Sequence, residues 1–121
     1  LVNNYMETSQ PDVYALGDAV SVRHVVSGEA VLIPLASPAN KQGRIVGDNL
    51  CGRKRRYEGS QGTSIMKFFD LTVAVTGEKE EVLQARGQSY QKVITTSASQ
   101  AGYYPGGEII MLQIKQIKKN I

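Results

Sequence analysis

The chain has 121 residues, a formal net charge of +3 and 41% apolar residues, enough for one domain or a domain with part of a neighbour. No apolar run approaches the roughly 18 residues of a membrane-spanning helix, and the opening residues, with Asn3, Asn4 and Glu7, lack the apolar stretch of a secretory leader. The single cysteine, Cys51, excludes an internal disulfide framework and suits a reducing, cytoplasmic setting.

Residues 13–16 form a short apolar run bounded by Pro11-Asp12 and Gly17-Asp18, which predicts a buried strand. Residues 31–33, closed by Pro34, predict a second. Ser37 as N-cap, Pro38 as first helical residue and Gly52 just past the end predict a helix over 38–51. Ala39, Gly43, Val46 and Leu50 fall on one of its faces. Residues 53–62 are polar and contain glycine, as a connector does. Beyond it, β-branched and aromatic runs at 65–69, 71–75 and 90–94 predict strands. A short helix is expected from Glu78 to Arg86, acids first and Gly87 after it. Residues 101–107 must be a loop, and 108–114 a last strand, with no partner to follow it. The pattern is α+β: a mostly antiparallel sheet with flanking helices, preceded by a strand-loop-helix segment. The boundary falls near 52–62, giving units of 1–52 and 53–121.

An isolated Gly-Asp after a strand is ordinarily a turn and a cap. Here it closes "TSQPDVYALGD", residues 8–18, which resembles the second FAD-binding fingerprint of the pyridine nucleotide-disulfide oxidoreductases. The match runs through Thr8, Ser9, Pro11, Val13, Tyr14, Ala15, Gly17 and Asp18. "VLIPLASPANKQGRIVGDNLCG", residues 31–52, is similar to the segment that follows the fingerprint in the NADH oxidase and CoA-disulfide reductase branch. "QGTSIMKFFDLTVAVTG" at 61–77 and "SASQAGYYPGG" at 97–107 resemble the opening and a loop of that branch's dimerisation domain. The resemblance thus covers nearly the whole chain.

This resemblance implies roles. Asp18 would accept a hydrogen bond from a ribityl hydroxyl of FAD, as an acceptor-only carboxylate can. Gly17 would keep a side chain away from the cofactor. Ala36, at the helix start, would lie near the pyrimidine end of the flavin, where free N–H groups favour negative charge. Asn40 would edge the substrate pocket. Tyr103 and Tyr104 are both candidates for the tyrosine that reaches the partner subunit's thiol site, and Gln100 stands where the branch usually has histidine. The chain would be the end of an FAD domain (1–52) joined to most of a dimerisation domain (53–121). The parent would be a homodimeric, FAD-dependent NAD(P)H oxidoreductase that reduces CoA-disulfide, CoA persulfide or oxygen.

No G-x-G-x-x-G fingerprint is present for the ADP half of FAD or for NAD(P)H. The family's redox-active cysteine is missing too, so it is expected upstream and no catalytic residue is assigned here. By itself the fragment is expected to be inactive and to retain no cofactor. Cys51, at a helix end without a base or cation beside it, reads as structural. The alternative from a different class is a cofactor-free dimerisation or interaction module. The basic run 53–56 lacks interleaved aromatics and reads as a solvated connector, so no nucleic-acid partner is expected. His24 has no second ligand at metal spacing.

Overall fold

Residues before Gly17 turn rather than extend. The Thr8 amide donates to the Val13 carbonyl (2.9 Å), and the Thr8 hydroxyl accepts from the Gln10 amide (3.1 Å). Asp12 takes a φ of +60°, which a short polar side chain tolerates. Tyr14 is left with one antiparallel bridge to Glu7, and a single 3₁₀ turn follows at Gly17–Ala19. The strand expected at 13–16 is therefore corrected to a bridge: the turn consumes its first residues, and among the described residues no second strand lies alongside to extend the ladder. This computed structural model describes residues 1–117; Lys118, Lys119 and the end of the expected 53–121 domain lie outside the described residues.

Strands β1 (Ser21–Arg23) and β2 (Ala30–Leu32) form an antiparallel hairpin in the register Ser21↔Leu32. Helix α1 runs over Ala36–Leu50. Its N-cap is Leu35, not Ser37, because Leu35 is extended and its carbonyl already accepts the Ala39 amide (3.2 Å). Pro38 consequently sits at the third helical position, where its missing N–H costs nothing. At the other end Cys51 is the C-cap and Gly52 follows at φ +80°, where the Gly52 amide donates to Asn49.

The buried stripe of α1 is Pro38, Gln42, Ile45 and Val46. This corrects the expected face: Val46 belongs to it, but Leu50 is exposed and Ala39 and Gly43 are only half-buried. Ile45 and Val46 join Met6, Val20, Val22 and Tyr57 in one core cluster. Tyr57 carries the connector into that core. Asn49 reinforces it, donating to the carbonyls of Tyr5 (2.9 Å) and Arg55 (3.0 Å) and accepting from the Arg55 amide (2.7 Å). Ser60 pairs in parallel with His24, giving its amide to Arg23 and taking the Val25 amide (3.0 Å each). Beside it Gly59 holds φ +99°, and an added Cβ would collide with the Arg23 carbonyl oxygen.

Strands β3 (Ser64–Phe68) and β4 (Leu71–Val75) pair antiparallel around the two-residue turn Phe69-Asp70. Met66↔Val73 and Phe68↔Leu71 stack on one face of that hairpin, which remains exposed. By packing, the chain divides into two compact units, Leu1–Glu78 and a second that starts at Lys79.

In the second unit, α2 (Glu80–Ala85) precedes the long hairpin of β5 (Tyr90–Ala98) and β6 (Ile109–Ile117), paired from Tyr90↔Ile117 to Ala98↔Ile109. Lys92 lies directly opposite Lys115, a repulsive arrangement. Glu80 offsets it. Its carboxylate accepts from Lys92 Nζ (2.7 Å), the Tyr90 hydroxyl (2.7 Å) and Gln113 Nε2 (2.8 Å). Those three donors, Lys92 first, hold the Glu80 carboxyl at about 2, against some desolvation, and Glu80 in turn raises the Lys92 ammonium above its ordinary range. The described residues thus form two-stranded antiparallel sheets with two helices, the expected α+β class.

Candidate functional site

The fingerprint turn and the start of α1 come together in the first unit. Gly17 adopts φ +72°, a conformation glycine reaches without strain, and a Cβ there would rest 3.8 Å from the Ala39 side chain. The backbone therefore passes close over the first turns of α1. The Asp18 side chain is exposed and makes no hydrogen bond among the described residues.

Among the described residues no side chain caps the start of α1, so the first-turn amides at Ala36 and Ser37 keep the partial positive charge of a bare helix end. An open groove of about 610 Å³ follows, lined by Leu16, Ala36, Ala39, Asn40, Gly43 and Arg44. Asn40 folds back on its own helix, donating to the Ala36 carbonyl (3.0 Å). It also lines a second cleft of about 550 Å³ with Ser37, Lys41, Arg44 and Arg55. Gly17, Ala36 and Asn40 are thus gathered around one end of one helix.

Gln42 escaped the sequence reading. Its Oε1 accepts the Gly17 amide at 2.7 Å, and the side chain is 2% exposed. The available signal was a polar residue four positions after Pro38, within a face that otherwise buries apolar side chains. The choice of the neighbouring Ala39–Gly43 stripe concealed it.

Tyr103 and Tyr104 lie in the second unit, at the tip of the β5–β6 hairpin. Their rings are 4.9 Å apart at 38°, and both are exposed. Gln100 holds this loop, donating to the Pro105 carbonyl (2.9 Å). Cys51 is exposed at the end of α1. The basic connector is engaged within the fold: Arg55 and Arg53 pair with Asp48 (2.9 and 3.4 Å), and Arg56 lies over the Tyr5 ring. His24 is buried with Nδ1 3.0 Å from a Glu78 carboxylate oxygen. Among the described residues, no helix is long and apolar enough to cross a membrane.

No family model matches the chain. The chain is 39% identical over 111 residues to an NAD(P)H sulfur oxidoreductase (CoA-dependent) of Pyrococcus furiosus, covering 92% of this chain and 25% of that protein. It is 37% identical over 114 residues to the coenzyme A disulfide reductase of Staphylococcus haemolyticus, covering 93% of this chain and 26% of the relative. The fold matches an NAD-dependent persulfide reductase from A. fulgidus with a TM-score of 0.90 and 38% identity, over 97% of this chain and 22% of that one. The chain spans about a quarter of the length of the curated relatives it matches. With the fingerprint turn and the helix it rests on, these likenesses identify the chain as belonging to the pyridine nucleotide-disulfide oxidoreductase family, in its NADH oxidase and CoA-disulfide reductase branch, where it corresponds to the C-terminal part of the longer proteins.

Proposed function

We propose that the chain supplies one wall of a flavin site and the dimerisation part of an FAD-dependent NAD(P)H oxidoreductase whose substrate is a CoA-type disulfide or persulfide, or oxygen. The observation that carries this reading is the exposed carboxylate of Asp18, without a hydrogen bond among the described residues, on a glycine turn seated against a bare helix start. Such a carboxylate recognises a sugar-alcohol hydroxyl and repels a phosphate, which matches a ribityl chain. The groove that Leu16 of this turn lines also has Ala39 and Gly43 in its wall, small residues that let a flat group approach the helix. When bound, the flavin supplies hydride and electron transfer.

The chain's own residues then have separable tasks. Asp18 orients the cofactor through a charge-assisted hydrogen bond worth about 1.5–3 kcal/mol. The amides at Ala36 and Ser37 favour negative charge placed at the helix start by about 0.3–2 kcal/mol. Asn40 edges the substrate side, and its Oδ1 is left to accept while its Nδ2 holds Ala36. Tyr103 or Tyr104 supplies a phenol to the partner subunit's thiol site in a homodimer. The redox-active thiol comes from outside these residues, so the 121-residue chain alone is inactive and colourless. Cys51 suits a cytoplasmic setting, being an unpaired thiol at an exposed helix end.

Exposed apolar strands support the dimer reading. On β5 and β6, Val93, Ile94, Ile109, Met111 and Ile114 are all more than half exposed, and such faces are ordinarily covered. The alternative, a cofactor-free interaction module, shares this feature but gives Asp18 no task. Asp18→Ala in the full-length protein separates the two: FAD affinity falls at least about tenfold, and the visible absorbance of the purified protein falls with it, if Asp18 is a flavin contact. Unchanged absorbance would favour the module.

A further inference from the structure

We propose that Gln42 is a positioning residue that clamps the Gly17-Asp18 turn onto α1, so that the acid and the helix start lining the groove are held as one rigid element. The proposal rests on reading Asp18 as a flavin contact. Gln42 Oε1 accepts the Gly17 amide at 2.7 Å across 25 residues of chain. Gln42 and Met6 are the two most completely buried large side chains among the described residues. A carboxamide is costly to bury unless its polar atoms are paired, and an apolar side chain would fill the same space without that cost. Its presence there is explained by the bond it makes.

Geometry makes the bond consequential. Gly17 is at φ +72°, and the position of its missing Cβ lies 3.8 Å from Ala39, one turn before Gln42 on α1. Fixing the Gly17 amide fixes the Leu16–Gly17 peptide plane, the plane through which the chain enters the turn that carries Asp18. Where the turn closes, the Val20 amide reaches the Gly17 carbonyl only at a long 3.4 Å. Gln42 is thus a side-chain restraint from α1 on the turn that carries the Asp18 carboxylate. Because Ala36 belongs to the same helix, the two candidate cofactor contacts keep a constant separation.

The test has two arms. In the 121-residue chain, amide exchange at Gly17 is compared among the unmodified protein, Gln42→Met, which keeps the volume and loses the acceptor, and Gln42→Glu, which keeps an acceptor. Gly17 should exchange about tenfold faster in Gln42→Met, with Val46 unchanged, and Gln42→Glu should restore most of the protection. Equal exchange in all three overturns the proposal. If Gln42→Met fails to fold, the scalar coupling across the hydrogen bond from the Gly17 nitrogen to the Gln42 side-chain carbonyl carbon is measured in the unmodified protein, and its absence overturns the proposal.

In the flavin-loaded full-length protein, Gln42→Met should weaken FAD binding about fivefold alone and have almost no further effect in an Asp18→Ala background. A full, additive effect in that background would mean that Gln42 acts only on general stability. If Asp18→Ala itself leaves FAD binding unchanged, the flavin reading fails, while Gly17 exchange still decides whether the clamp exists.

Discussion

Between residues 1 and 78, Met6, Val20, Val22, Ile45, Val46 and Tyr57 converge from four separate segments into one buried cluster. From Lys79 onward Leu83 is the one buried hydrophobic side chain among the described residues, while the β5–β6 hairpin exposes apolar residues on both faces. The first region is specified by burial, and its loops are tied to that core by Asn49, Ser60 and Gln42. The second is specified by a nine-residue ladder and by polar clasps at Glu80 and Gln100. A two-stranded hairpin is marginal by itself. Backbone register can thus be complete where side-chain cover is not, and the two regions should respond to different perturbations.

The contrast breaks most visibly at glycine. Gly59→Ala places a Cβ against the Arg23 carbonyl at an unfavourable φ and disrupts the Ser60 bonds to Arg23 and Val25. Strain and the lost bonds together should cost about 4 kcal/mol, read from denaturant unfolding of the first unit. Gly106→Ala, at φ +78° in the exposed hairpin loop with open space around it, should cost about 1 kcal/mol. Equal costs would erase the distinction.

Side-chain truncation should show the same asymmetry at smaller amplitude. Ile45→Ala opens the core and should cost about 3 kcal/mol. Ile109→Ala, 80% exposed, should stay within about 0.5 kcal/mol in the uncomplexed chain. Denaturation midpoints of the two variants decide this.

Smallest is the acid response of the second region. Glu80 has a folded-state pKa near 2, below its ordinary 4.5, so its clasp contributes stability above about pH 4.5 and loses it as pH falls toward 2. Lys92 is raised, so its contribution is present below its unfolded pKa and is lost only as pH rises through the folded one. Following the Tyr90 and Gln113 resonances through an acid titration should show a midpoint near 2, and Glu80→Gln should abolish it. A midpoint at the ordinary value would show the clasp to be open.

Much of this was legible in the sequence. The strand at 71–75 and the close of α1 at Gly52 lie where turn residues and β-branched runs put them, because local chemistry decides both. The N-terminus of α1 was misplaced by two residues. Ser37 and Pro38 suit a cap and first turn in isolation, yet an extended Leu35 that accepts the Ala39 amide starts the helix earlier. The strand at 13–16 failed because the residues of a strand are local but its partner is not. The motifs located Gly17 and Asp18. They could not disclose Gln42, whose importance comes from a bond spanning 25 residues.

All of this turns on what the Asp18 carboxylate touches. A crystal structure of the flavin-loaded full-length protein measures it directly. An Asp18 oxygen should lie within about 3 Å of a ribityl hydroxyl, with the turn still resting on α1. An Asp18 side chain directed away from the cofactor, or a flavin seated elsewhere, would contradict it.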